Sequence, residues 1–355
     1  MAALPQRAST VSAVYAALAE HLAERRRAHL GASVLGRECA RALWYAFRWC
    51  DERTTDGRVL RLFRRGQLEE EWIARDLVRA GLTVHTHDEH GKQFRFEDLG
   101  GHVGGSMDGA ALGVIEAPKT WHVLECKTYN AKRFALLARD GVESAAPDHY
   151  AQMQLYMHWS GMQRALYVAV CKDNDELHIE RIHYEKQRAL VLLEKARQVV
   201  TAPEPLEGIS DKPEFYKCKW CSSQAVCHHG RVPEPSCRTC IHSTPTLEGG
   251  ATWMCKRYGR IPSVDAQLAG CPDHVYLPAL VPAAAVDADE AGNYIVYQTR
   301  SGALIRNGTP DEHGPTFASS ELYAAQGSDF AILTDPAVHQ LRREMGATVH
   351  ESKPR

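Results

Sequence analysis

What this sequence lacks narrows its function before anything it contains. No stretch approaches the roughly 20 predominantly apolar residues that a membrane-spanning helix needs, so no membrane partner is expected. The 18 histidines include no H-E-x-x-H and no serine–histidine–acid triad that can be picked out. Neither a P-loop nor a dinucleotide fingerprint occurs, so an ATP-driven motor would have to be a separate protein. No internal repeat is present. There is also little net charge: 42 basic against 44 acidic side chains leave −2, which excludes a generally basic coat for nucleic acid. The N-terminus offers Arg7 but no apolar core followed by a small-residue cleavage site, so no secretory signal is expected. An Ala- and Ser-rich, acid-poor start also suits an organellar presequence, but an amphipathic helix from about Thr10 to Arg27 is preferred, and a cytoplasmic location with it.

What is present is unevenly placed. Eight arginines (Arg37, Arg41, Arg48, Arg53, Arg58, Arg61, Arg64 and Arg65) fall within one short stretch, where a polyanion or a solvated helix face would suit them equally. Of the 11 cysteines, seven lie between Cys218 and Cys271, with two C-x2-C spacings. Without a secretory signal, such clusters read as metal ligands rather than disulfides. At 355 residues the chain exceeds one ordinary core and suggests two or three domains.

Periodicity predicts an α/β fold. Ser33 is read as the N-cap of a helix through Arg37–Arg48, and a longer helix spans about Val59–Ala80, closed by Gly81. Strands are expected at Leu82–His87, Gln93–Glu97, His102–Ile115 and Thr120–Thr128, the last two joined by a turn containing Pro118. Helices follow at Lys132–Arg139 and Asp148–Ser160, strands at Ala165–Cys171 and Leu177–His183, and a helix at about Glu185–Val200. Helices flanking a small mixed sheet complete that domain. Ala202–Lys217 and Pro278–Gly292 read as linkers. Beyond them a hairpin (Tyr294–Thr299, Ala303–Arg306) and a helix started by Asp335-Pro336 and stopped by Gly346 are predicted.

The chemistry gathers in Gly105-Ser106-Met107-Asp108-Gly109 and Leu124-Glu125-Cys126-Lys127-Thr128. Side chains on a strand alternate faces, so Glu125 and Lys127 project together and Cys126 opposite. A paired strand can bring Asp108 beside Glu125. Two adjacent carboxylates repel, and a hard divalent cation relieves that repulsion while recruiting water. The lysine can orient or deprotonate that water and offset charge on a phosphoryl oxygen. Alone, E-C-K is more often a solvated strand. The apolar Val123-Leu124 before it and the glycines around Asp108 favour a site at a buried strand's end.

G-x-x-D-G followed by E-x-K on the next strand resembles the PD-(D/E)xK nucleases, particularly the RecB-like and lambda-exonuclease-like branch, whose core is the restriction-endonuclease-like fold. Gly66-Gln67-Leu68-Glu69-Glu70 resembles that family's first helical motif, with its acid on Glu70 and with Glu69 and Glu71 as neighbours one position away. Gln152-Met153-Gln154-Leu155-Tyr156 resembles its Q-x-x-x-Y helix, with Gln154 an alternative to Gln152. The resemblance covers roughly Ser33 to Cys227. It implies that Asp108 and Glu125, with the Cys126 carbonyl, bind Mg2+ or Mn2+; that Lys127 handles the water; that Glu70 assists; and that Gln152 and Tyr156 steady the lysine and phosphates. Arg41, Arg64 and Arg65 are the candidate DNA contacts.

Cys218-x2-Cys221-x5-Cys227 is one ligand short of a closed site, and Cys39 is the preferred fourth. Relatives in this branch carry one cysteine before the first motif and three after the last, around a [4Fe–4S] cluster, and this layout is similar. Zinc is the alternative, in which His228 or His229 could replace Cys39. Cys237, Cys240, Cys255 and Cys271 read as a zinc-ribbon-like site, with His242 and His274 in reserve. Cys50, Cys126 and Cys171 read as core thiols. Trp44, Trp49 and Trp72 could stack on bases but are expected in the core.

The expectation is therefore a nuclease domain over residues 1–232, a zinc-ribbon-like module over 233–278 and a small α+β region over 279–355. The resemblance implies a DNA exonuclease for recombination or repair, partnered by DNA and by a strand-annealing or recombination protein. The competing class is a non-catalytic DNA-binding or assembly factor with structural metal centres.

Overall fold

The computed structural model describes residues 9–22, 26–51, 56–310, 316–326 and 330–350. Arg53 lies outside them. In chain order the first half forms α1 (Thr10–Leu22), β1 (Leu30–Gly31), α2 (Ala32–Leu35), α3 (Ala40–Phe47), α4 (Gly57–Arg79), β2 (Thr83–His85), β3 (Arg95–Asp98), β4 (Val103–Ser106), β5 (Gly109–Leu112) and β6 (His122–Tyr129). There follow α5 (Ala131–Ala145), α6 (Pro147–Ser160), β7 (Arg164–Cys171), β8 (Leu177–His183) and α7 (Lys186–Thr201). Two compact units result, one of residues 1–37, 53–98 and 103–196, the other of 38–52, 99–102 and 197–355.

The first unit is built on a mixed five-stranded sheet of order β2-β5-β6-β7-β8. β6 and β7 run parallel, Glu125 beside Tyr167 and Lys127 beside Ala169, with α5 and α6 between them in the chain. Two consecutive parallel strands need a long crossover between them, here a helical one. β7 is buried along nearly its whole length, as a strand covered on both faces must be, which explains its continuous run of apolar residues. On one face Leu124, Cys126, Leu166, Val168 and Val170 form a core with Ile73 of α4. A second sheet, β1-β4-β3, packs beside α2 and α6 in the same unit.

Several boundaries depart from the sequence reading. The predicted strand His102–Ile115 is broken at Met107-Asp108: β4 belongs to the small sheet and β5 to the large one. Alternation alone cannot see such a break. Ser33 caps nothing. It sits inside the short α2, and the helix over Arg37–Arg48 begins instead at Ala40, where the Cys39 sulfur accepts from the Ala42 amide. The segment Pro278–Gly292 is not all linker, since Ala284–Asp289 forms a strand.

The second unit holds α3 together with α8 (Gln224–His229), the hairpin β9 (Ser243–Pro245) and β10 (Trp253–Cys255), α9 (Val264–Ala269), and a four-stranded sheet of β11 (Ala284–Asp289), β12 (Tyr294–Gln298), β13 (Leu304–Gly308) and β14 (Thr316–Phe317), followed by α10 (Ser319–Ala324), α11 (Ala331–Thr334) and α12 (Pro336–Met345). α12 is capped by Asp335 and closed by Gly346 in the left-handed region, as the sequence reading expects. Arg238, buried at 1% exposure, lies 3.8 Å over the Trp49 ring and 4.9 Å over that of Trp253 and donates to the Phe47 carbonyl at 2.9 Å. A buried guanidinium needs such partners, because leaving it unpaired costs several kcal/mol, roughly 3 to 5. No helix of the described residues is long and apolar enough to cross a membrane.

Candidate active site

Register builds the site. Gly109 pairs with Leu124 across β5 and β6, so the residue before Gly109 comes level with Glu125. Asp108 accepts from the Cys126 amide at 2.8 Å, which fixes its carboxylate against β6. Glu125 is fully buried; its carboxylate meets the Lys127 ammonium on one side and accepts from the Gln152 amide, 3.3 Å away, on the other. The ammonium also donates to the Cys126 carbonyl at 3.1 Å. Tyr156, one turn after Gln152 on α6, receives a bond from it at 3.3 Å and donates to the Ser106 carbonyl at 2.8 Å.

Of the three consecutive glutamates on α4, Glu70 turns toward this group. Burial, with Asp108 alongside, pushes its carboxyl up to about 7, and Lys127 pulls the other way. Glu69 faces Arg65 at 3.9 Å and Glu71 faces Arg75 at 3.5 Å. Gln154, the alternative to Gln152, donates to the His183 carbonyl and accepts from the Glu185 amide, tying helix to strand end. Burial depresses the Lys127 ammonium, but Glu125 and Asp108 outweigh it and hold the lysine above its ordinary value, firmly protonated. Burial and Asp108 raise Glu125, with Lys127 opposing. Crowded acids that hold protons tightly are the donor chemistry that a hard cation replaces. The Gln152 carbonyl oxygen is buried without a partner among the described residues. Even so, no three His, Cys, Asp or Glu side chains among the described residues stand gathered tightly enough to enclose an ion.

A cleft of about 670 Å³ opens on the Glu70 and Lys127 side of the site, lined also by Arg65, Asn130, Arg133, His149 and Lys172 and by Arg27. Its basic lining differs from the predicted set. Arg65 is there, donating to the Lys172 carbonyl at 3.3 Å, and Arg64 is exposed on the same helix. Arg41 lies in the second unit, where it donates to the Leu206 carbonyl and the Cys227 sulfur and faces Asp211. Arg48 is buried between Trp44 and Trp253 and donates to the Arg238 carbonyl, so it is a core residue rather than part of a basic surface. Sequence counting weighs charges but cannot see which way a long side chain runs.

Cys39 and the seven cysteines from Cys218 to Cys271 all belong to the second unit, but among the described residues no three of them stand close enough to enclose a metal. Cys218 is raised by burial and then by Cys39, Cys227 and Cys221. Cys237, Cys240, Cys255 and Cys271 border one small cavity with His242 and Asp273. Burial pushes Cys237 and Cys240 up to about 11. His274 bonds to Thr239 and Ser319 through its two ring nitrogens and has none left for a metal. Cys50, Cys126 and Cys171 are buried, as are Trp44 and Trp49, but Trp72 is 53% exposed rather than in the core.

Sequence reasoning missed Tyr129, His149 and Tyr167, which form a hydrogen-bonded group beside Lys127. The signals were present: Tyr129 continues the alternation of Glu125 and Lys127, and His149 lies almost one turn before Gln152.

No protein-family model matches the chain, and no curated protein does either. Solved structures give a distant likeness. The chain is 16% identical to SSO0001, covering 61% of this chain and 95% of that one at a TM-score of 0.38. It is 17% identical to LHK-Exo, an alkaline exonuclease from Laribacter hongkongensis, covering 53% and 90% at a TM-score of 0.34. A phage-related exonuclease from Haemophilus somnus 129PT is 16% identical, with 38% and 68% covered and a TM-score of 0.29. The mixed α/β chain thus bears a distant structural similarity to alkaline and phage exonucleases.

Proposed function

We propose that this chain is a metal-dependent deoxyribonuclease, acting as an exonuclease on DNA ends in recombination or repair alongside a strand-annealing or recombination protein. One observation carries the reading: Asp108, bonded to the Cys126 amide, comes level with Glu125 midway along the buried β6 and not at a strand end, with the Lys127 ammonium between Glu125 and the Cys126 carbonyl. Asp108, Glu125 and that carbonyl would hold Mg2+ or Mn2+, with Glu70 assisting. Such an ion supplies Lewis-acid polarisation of a phosphoryl oxygen and a more acidic water. Lys127, held protonated by its carboxylate neighbours, orients water and offsets charge on a phosphoryl oxygen rather than removing a proton. Gln152 steadies Glu125, and Tyr156 holds the backbone just before Asp108. Arg65, with Arg64 beside it and Arg133 and Lys172 in the cleft, takes backbone phosphates.

The same reading gives the second unit two structural centres: a [4Fe–4S] cluster on Cys39, Cys218, Cys221 and Cys227, with zinc as the alternative, and zinc on Cys237, Cys240, Cys255 and Cys271. Thiolate is the ligand type both would use.

The test is cleavage of end-labelled DNA with Mg2+ or Mn2+. Asp108→Ala, Glu125→Ala and Lys127→Ala should each lower the rate about 100-fold or more, and a chelator should abolish it. Cleavage unchanged in all three variants would reject the enzyme and leave a DNA-binding or assembly factor.

A further inference from the structure

The Tyr129–His149–Tyr167 group is more than a polar knot between β6, β7 and α6. The two hydroxyl oxygens lie 2.6 Å apart, and His149 Nδ1 lies 2.7 Å from that of Tyr167 and 3.0 Å from that of Tyr129. Tyr167 is wholly buried and Tyr129 nearly so. Three polar atoms in mutual contact constrain their protons. If Nδ1 carried a hydrogen, one hydroxyl could donate to the other, but the second would find no acceptor within the group. If Nδ1 is bare, one hydroxyl donates to it and the other donates in turn, and every buried donor is satisfied. Nδ1 is therefore an acceptor, and the neutral ring keeps its hydrogen on Nε2.

The other side of the ring faces open space. His149 is only partly buried and lines the same cleft as Glu70 and Lys127. Among the described residues Nε2 has no hydrogen-bond partner, and it is not among the buried, unpaired atoms, so it is accessible there. Burial, then Lys127 and Arg133, push the imidazole down to about 3, which keeps it uncharged at any ordinary working pH. The cleft thus contains in His149 a rigid, neutral N–H donor among flexible cations. Cations hold a polyanion without fixing its direction, whereas a donor locked in orientation from behind selects one oxygen position.

We propose that His149 is a substrate-binding residue, its Nε2–H donating to a non-bridging phosphate oxygen of DNA lying in the cleft, with Tyr129 and Tyr167 as positioning residues that set its tautomer. This rests on the nuclease reading of the same cleft. His149→Phe removes the donor, and His149→Gln restores it, since the amide can accept from the tyrosines and donate forward. With a short end-labelled duplex and Mg2+, His149→Phe should raise KM about tenfold or more with kcat little changed, and His149→Gln should recover most of the loss.

A folded His149→Phe with wild-type KM overturns the proposal, as does a His149→Gln no better than His149→Phe. A second measurement reads the wild-type protein and uses a variant only for assignment. In 15N-histidine spectra of the whole protein, the His149 signal, assigned by its loss in His149→Gln, should show a protonated Nε2 that shifts when the duplex is added without metal. A protonated Nδ1, or a signal that DNA leaves unmoved while binding is seen by another method, overturns it as well. A wild-type protein that neither binds nor cuts DNA sinks the nuclease reading itself, which separates the two failures.

Discussion

At the scale of single residues, the site is a competition among charges in a small space. Glu70 shows the consequence most simply. Its proton is held to about pH 7 against an ordinary value of 4.5. A carboxyl raised in the folded state contributes stability that is complete below its unfolded value and is lost as pH rises through the folded one. Without metal, wild-type stability relative to Glu70→Gln should therefore fall between pH 4.5 and about 7 and level off above; parallel melting curves for the two proteins across that window would refute the assignment. Much at this scale was legible. The alternation of Glu125, Cys126 and Lys127 follows from strand geometry alone, and the buried thiols at Cys50, Cys126 and Cys171 follow from residue type. Which of three consecutive glutamates faces Asp108 was open by one position, because one helical residue rotates a side chain by about 100°. Only the packed helix decides it. The fates of Arg41 and Arg48 were illegible for a related reason: their partners lie more than 150 residues away in sequence, at Leu206 and at Ala202 and Arg238.

At the scale of elements, the close approach of β4 and α6 positions the tyrosine. A Cβ on Gly105 would lie 2.6 Å from the Tyr156 hydroxyl and 3.2 Å from the Ala32 Cβ. Gly105→Ala should destabilise by about 1–3 kcal/mol and slow cleavage, since Tyr156 must leave the Ser106 carbonyl. In Gly105→Ala/Tyr156→Phe the two costs should sum to less than their separate values, as measured by denaturant unfolding, because the first already displaces what the second removes. Strict additivity would mean that the contact does not matter. The helices that carry the motifs were predicted within a few residues, helped by Pro147 at the start of α6 and by Gly81 just past the end of α4. The break between β4 and β5 was not, because a strand changing sheets keeps the same alternation on both sides.

At the scale of the whole molecule, the two units divide the chemistry: the carboxylates and lysine belong to one and the eight cysteines of the proposed centres to the other. Anaerobically purified protein should carry iron and zinc together. Cys39→Ser should abolish visible absorption while zinc remains, and Cys237→Ser should lower zinc while the absorption persists. Loss of both metals from either variant would mean that the cysteines do not form two independent centres. Sequence spacing could propose the ligand sets, but the unit boundary, which puts Cys39 with the late cysteines, emerges only from three-dimensional contacts.

The hand-over at Met107-Asp108 has one more consequence. Because this acid occupies the step between two sheets, its alignment with Glu125 is secured from both sides: β4 is paired upstream and β5 downstream. Sliding the chain by a single residue would have to unzip both ladders at once. An insertion at that step, harmless in most surface connections, should abolish the proposed DNA cleavage while leaving the rest of the architecture standing.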